Sequence, residues 1–153
     1  MSQDCFFCKL IAGDVPSWIV YEDADHVAFL TPFPNTPGFT VVVTREHQQS
    51  DVLALSNDRF TKFILIAKEI SVKLNAALGT NRTGLVIEGM GIDHAHIKLI
   101  PMHGIPDGPW QPVLSSQHDF FPTYQGFLTT NDGPRMSDAE LTNLQTKIRR
   151  VLS

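Results

Sequence analysis

The chain has 153 residues, 42% of them hydrophobic, and a formal charge of −4 from 16 acidic and 12 basic residues. That length fits one domain able to bury roughly 70% of its unfolded surface, and the acidic balance removes any global electrostatic reason to wrap a polyanion. No run approaches the ~20 apolar residues of a membrane span. The opening Met1-Ser2-Gln3-Asp4 has no basic n-region, so no secretory signal is expected and a reducing cytoplasm is the expected compartment.

Both cysteines lie in Cys5-Phe6-Phe7-Cys8. A two-residue gap suits a metal site or a redox couple better than a long-range disulfide, with a buried pair of small hydrophobes as a third reading. Residues 18–21 and 27–30 are β-rich runs on either side of the acidic turn Glu22-Asp23-Ala24-Asp25, and together they predict a hairpin. A Pro- and Gly-marked loop over 31–38 leads into Phe39-Thr40-Val41-Val42-Val43-Thr44, a third strand.

Over 57–78 the residues Phe60, Phe63, Ile64, Ala67, Ile70, Leu74, Ala77 and Leu78 recur at helical spacing, with Ser56 placed to cap and Gly79 to terminate. Residues 84–88 and 94–100 read as two more strands, separated by the turn Gly89-Met90-Gly91. Residues 101–134 carry many Pro and Gly, but also Trp110, Phe120, Phe121, Tyr124 and Phe127. Aromatics need somewhere to pack, so an ordered, loop-rich extension is expected. Ser137-Asp138-Ala139-Glu140 fits a capping box ahead of Leu141, Leu144, Ile148 and Val151, which predicts a C-terminal helix. The sum is an α+β fold: an antiparallel sheet of about five strands with a long helix and a C-terminal helix. It forms one domain over 1–153, with its core at about 5–101 and the extension and last helix over 102–153.

In His94-Ala95-His96-Ile97-Lys98-Leu99-Ile100 polar and apolar residues alternate. A strand's period of two puts His94, His96 and Lys98 on one face, neighbours roughly 6.5 to 7 Å apart, where they can address one phosphate or divide between a metal and a substrate. The bland reading is a solvent-facing antiparallel strand. Two histidines and a lysine on one short face beside a Gly-rich turn favour function.

This strand, from Asp93 to Pro101, resembles the H-x-H-x-H-x-x strand of the histidine triad (HIT) superfamily, and it follows a long helix as in that fold. The order upstream agrees: a Cys-bearing start, Tyr21-Glu22-Asp23, Ala28-Phe29-Leu30, then Pro34-Asn35-Thr36-Pro37-Gly38 before a Val-rich strand and Arg45-Glu46-His47. The match spans roughly residues 5 to 101. The resemblance implies that His96 is the nucleophile that attacks the α-phosphorus of a nucleotide and forms a nucleotidyl-histidine. Imidazole suits this role because much of it is neutral and nucleophilic at pH 7.

Lys98 stands where the family has its third histidine, and it can bring a positive charge and three donors to a phosphate. Phe39 replaces another family histidine and donates nothing. The substrate-binding positions implied are Phe29, Thr31, Gly89 and Gly91. Thr31 stands where many relatives hold the ribose hydroxyls with an acidic residue, and Gly89-Met90-Gly91-Ile92-Asp93 is shorter than their phosphate-binding loop. A Gly-x-Gly turn lets backbone N–H groups approach an anion, although it is more often only a turn.

HIT relatives with an N-terminal C-x-x-C bind zinc, and the matching positions here are Cys5, Cys8, His47 and His94. Such a Cys₂His₂ set is complete for tetrahedral zinc and therefore structural. The resemblance also implies a homodimer. His26, in the acidic turn, and His118, in a polar loop, are expected to be exposed and uncommitted, and His103 is a bystander at the strand's end.

Three functions follow in order. The first is a nucleotidyl hydrolase or transferase acting on a nucleoside phosphoramidate or dinucleoside polyphosphate, with His96 as nucleophile and Lys98 as phosphate clamp. The second is a zinc-stabilised nucleotide- or phosphate-binding protein without efficient catalysis. A nucleic-acid module comes last, because Arg149-Arg150 is the chain's sole basic cluster.

Overall fold

The structure is a computed structural model that describes residues 4–129 together with 135, 137–139, 141 and 145. It comprises two compact units, Met1–Pro109 and Trp110–Ser153. The first contains helix α1 (Phe6–Ala12), strands β1 (Ile19–Glu22), β2 (His26–Leu30) and β3 (Thr40–Thr44), a 3₁₀ turn (Val52–Ala54), helix α2 (Asn57–Leu78), and strands β4 (Thr83–Val86) and β5 (His96–Pro101). The five strands form one sheet in the order β1-β2-β3-β5-β4, with every neighbouring pair antiparallel. This is the expected α+β architecture.

Helix α2 has the predicted bounds because its end signals are built as read. The Ser56 hydroxyl accepts the Arg59 N–H at 3.4 Å, and Gly79 closes the helix in the left-handed region at φ 64°, where a side chain would be strained. The hairpin turns at Asp23, whose carboxylate accepts the backbone N–H groups of Asp25 (2.8 Å) and His26 (2.6 Å), an Asx-type closure. Burial opposes ionisation of Asp23, but these two backbone bonds and the Tyr21 hydroxyl outweigh it and hold the carboxyl below its ordinary range.

The sheet is covered on both faces. Ala28, Val42, Ala95, Ile97 and Leu99 pack on Phe63, Ile66, Ala67 and Ile70 of α2. Val27, Phe29, Val41 and Val43 pack on Cys5, Phe7, Cys8 and Leu10 at α1. The period of two that sorts these residues puts Ile97 and Leu99 towards α2, and so turns His96 and Lys98 to the α1 face.

Helix α1 is an addition to the elements read from the sequence. Its seven residues are too few to show a periodic stripe, and the helix is held by burying Phe7, Cys8 and Leu10 and by Gly13 at φ 82°. His26 is a correction. It is 6% exposed rather than free in a turn, stacked on Phe63 with ring centroids 5.4 Å apart and with Nδ1 3.3 Å from the Asp23 carboxylate. Burying the imidazole against an aromatic face while its polar edge meets a carboxylate satisfies both halves of the ring.

Trp110, Phe120, Phe121, Tyr124 and Phe127 are all exposed, and Phe121 meets Phe127 with ring centroids 5.8 Å apart. The helix expected over 137–151 lies mostly outside the described residues. No helix among the described residues is long and apolar enough to cross a membrane.

Candidate functional site

Two loops bring the site together. Residues 44–50 and 93–95 run side by side, joined by the Thr44 N–H to the Ala95 carbonyl (3.4 Å), the Ala95 N–H to the Gln48 carbonyl (2.9 Å) and the Ser50 N–H to the Asp93 carboxylate (2.9 Å). This pairing sets His47 beside His94, with ring centroids 5.0 Å apart and nearly perpendicular. From the other side α1 supplies Cys5 at its N-cap and Cys8 within its first turn.

The result is one cluster: the ligand atoms of Cys5, Cys8, His47 and His94 all lie within 4.8 Å of one another. Cys5 Sγ is 3.3 Å and Cys8 Sγ 3.7 Å from His94 Nδ1, and Cys8 Sγ is 3.5 Å from His47 Nδ1. Zn–S and Zn–N bonds at tetrahedral angles give an S···N edge of roughly 3.6 Å. The three distances scatter about that value, and two thiols with two imidazoles form a donor set suited to zinc.

His94 is prepared for this role. It is fully buried, and its Nε2–H donates to the Thr44 carbonyl at 2.7 Å, with the Thr44 hydroxyl 3.4 Å away. That bond puts the proton on Nε2 and leaves the Nδ1 lone pair facing the two sulfurs, as an oriented metal ligand requires. Burial pushes His94 below the ordinary histidine value, and neighbouring His47 and His96 add to the shift.

His96 is 3% exposed. Its Nδ1–H donates to the His94 carbonyl at 2.7 Å, so Nε2 carries the lone pair. Among the described residues Nε2 has no hydrogen-bond partner, and no buried side-chain nitrogen or oxygen is left unsatisfied, so Nε2 reaches solvent. Phe7 stands edge-on to both histidines, at 5.8 Å from His94 and 5.5 Å from His96. Burial lowers the His96 pKa and the charge of Lys98 lowers it further, against the opposing pull of the His94 carbonyl. The ring is thus oriented by the His94 carbonyl, and its neutral form is favoured.

Lys98 shares that face but does not stand alone. Its Nζ meets the Glu88 carboxylate at 2.8 Å, with the side chains 27% and 10% exposed. Glu88 escaped the sequence reading because it ends an apolar run. The available signal was its register, since Val86 pairs with Lys98 across the antiparallel β4–β5 ladder.

The other expected positions are more dispersed. Phe29 is buried under Phe7 with ring centroids 5.5 Å apart, so its ring supports the helix that flanks the histidines. The Thr31 hydroxyl accepts the Phe33 N–H at 3.2 Å. Gly89, at φ 75°, lies where a Cβ would come 2.6 Å from the Ser50 carbonyl oxygen, while Gly91 has open space around it. Phe39 packs at the edge of the α1-side core. His103 is exposed, with Nε2 2.9 Å from the Pro37 carbonyl oxygen, and His118 is exposed.

A family model described as the HIT domain matches residues 12–106. An uncharacterized HIT-like protein of Borreliella burgdorferi is 37% identical over 106 residues, covering 64% of this chain and 75% of that protein. An adenosine 5'-monophosphoramidase of Schizosaccharomyces pombe is 28% identical over 104 residues, covering 65% and 74%. Among solved structures, a protein of Streptococcus mutans superposes with a TM-score of 0.69 at 26% identity, covering 100% of this chain and 88% of that one. With its domain matched over 12–106 and its motif histidines converging on one face of the expected sheet, the chain belongs to the HIT family.

Proposed function

We propose that this chain is a nucleotidyl hydrolase or transferase that cleaves a nucleoside phosphoramidate or dinucleoside polyphosphate through a nucleotidyl-histidine intermediate on His96. The observation that carries this reading is the 2.7 Å bond from His96 Nδ1–H to the His94 carbonyl, which leaves Nε2 as the attacking atom. A bond forms between Nε2 and the α-phosphorus as the bond to the leaving group breaks. The leaving group keeps the electron pair and takes up a proton, and water or another acceptor then removes the nucleotidyl group. Such a transfer needs positioning and charge stabilisation more than covalent machinery. The phosphoramidase activity of the fission-yeast relative supports the substrate class.

Zinc would be held by Cys5 and Cys8 Sγ and by His47 and His94 Nδ1, and when bound it supplies a closed structural pin with no open coordination position. Because His94 also holds His96 through its carbonyl, fixing His94 in this way would help to orient the nucleophile. Two reduced cysteines agree with a cytoplasmic location, and we take the active form to be a homodimer.

The test is single-turnover incubation of the protein and its His96→Ala variant with adenylyl and guanylyl phosphoramidates and dinucleoside polyphosphates. Intact mass is read in quenched samples. One added nucleotidyl group, absent from the variant, is the expected result. Turnover that survives His96→Ala excludes the mechanism. A second reading, a binding protein without efficient catalysis, is favoured by the ion pair that occupies Lys98, and binding without any adduct would select it.

A further inference from the structure

The Glu88–Lys98 pair has a chemistry of its own. Lys98 is the next residue after His96 on the α1 face, and it is the single cation on the β5 strand. Left alone, it would make this end of the site attractive to any polyphosphate. It is not left alone: the Glu88 carboxylate, with a side chain 10% exposed, lies 2.8 Å from Nζ. A carboxylate screened from water by burial acts at longer range on a neighbouring charge than an exposed one does.

The position of the pair relative to the reaction follows from His96. Its Nδ1 is tied back to residue 94, and on the other side of His96 the same face presents Lys98. In-line displacement puts the leaving atom across the phosphorus from Nε2, and a leaving group that extends along this face of β5 meets Lys98 and Glu88. A leaving polyphosphate brings two or more negative charges to a pair that carries no net charge and includes a partly buried anion. A leaving amine brings none, and once protonated it is attracted to the carboxylate. Lys98 retains N–H groups beyond the one given to Glu88, so the pair can still contact a single phosphoryl oxygen.

We infer that Glu88 is a specificity-determining residue of this site: its partly buried carboxylate cancels the charge of Lys98 and selects substrates whose leaving group is an amine over those that leave as a polyphosphate. This rests on the proposed nucleotide chemistry at His96, and it decides between the two substrate classes left together there. The discrimination comes from a repulsive element aimed at the wrong substrate, not from an extra contact with the right one.

The experiment measures binding, so that catalysis is not required. In the His96→Ala background, where no adduct can form, an adenosine 5'-phosphoramidate bearing an alkylamine and ATP are titrated by calorimetry against proteins with Glu88 intact, Glu88→Gln and Glu88→Asp. Glu88→Gln keeps the size and an acceptor oxygen but removes the charge. The expected result is a shift in the affinity ratio towards ATP by about tenfold or more, with Glu88→Asp staying close to the parent ratio. If Glu88→Gln fails to fold, Glu88→Ala tests the same point by deleting the carboxylate outright, again moving the ratio towards ATP by about tenfold or more. Binding of both ligands with a ratio that Glu88→Gln does not move overturns the selectivity role alone. Failure of every variant to bind either ligand overturns the nucleotide reading and the selectivity role together.

Discussion

His94 makes three kinds of contact at once. Nε2–H is committed to the Thr44 carbonyl, Nδ1 faces two sulfurs, and the backbone carbonyl of the same residue holds His96. Removing a ligand should therefore disturb both stability and chemistry. Protein purified without added metal is expected to carry one zinc per chain by elemental analysis. Cys8→Ser should lose that zinc and melt roughly 10 °C or more lower, and full stability without zinc would refute the pin. His96 gives a pH prediction. Its folded pKa lies below the ordinary value because of burial and Lys98, while the unfolded chain titrates at about 6.5. Between those two values the unfolded chain binds more protons, so this residue's contribution to stability is intact above about pH 6.5 and is lost as pH falls through the lowered folded value. The acid limb of kcat/KM should accordingly fall below pH 6.5, and a limb above that value would show that His96 is not the titrating nucleophile.

At the scale of elements, the site is made by loops pinned to each other rather than by the strand alone. β5 begins at His96, so His94 precedes it and owes its placement to the pairing of 44–50 with 93–95. Gly89 belongs to the same arrangement, because its left-handed φ and its approach to the Ser50 carbonyl leave no room for a Cβ. Gly89→Ala is expected to cost about 1–3 kcal/mol by denaturant unfolding and to weaken zinc retention, since Ser50 is tied to Asp93 next to His94. Gly91→Ala, with open space around it, serves as the control and should fall within about 0.5 kcal/mol of the parent protein. Equal losses at the two positions would show that the turn is generic.

Over the whole molecule, a two-faced sheet explains how a short N-terminal helix can share in a site built by residues 39 to 89 positions further along the chain. Helix α2 covers one face with an aliphatic and aromatic stripe. α1 covers the other with far fewer residues, including the two cysteines, and a metal would compensate for that thin layer. Among the described residues β1 and β4 are the edge strands of the sheet, and exposed Ile19, Val20 and Leu85 lie on them. Open apolar edges are commonly closed by another strand. The proposed homodimer should appear by light scattering at about twice the 17.0 kDa chain mass, and a monomer at all concentrations would exclude it.

Local signals in the sequence determined much of this. The bounds of α2 follow from Ser56, Gly79 and a 3.6-residue stripe, and the shared face of His96 and Lys98 follows from strand alternation, both of which depend only on near neighbours along the chain. The identity of the four clustered ligands came from likeness to relatives, because no local rule joins Cys5 to His94 across 89 positions. Tertiary structure alone decided the rest: α1 as a lid on the second face, the burial of His26 on Phe63, the tautomers of His94 and His96, and the pairing of Lys98 with Glu88. Each of these depends on a backbone carbonyl, a ring face or a carboxylate brought near by packing, and a partner that arrives through space leaves no periodic mark in sequence.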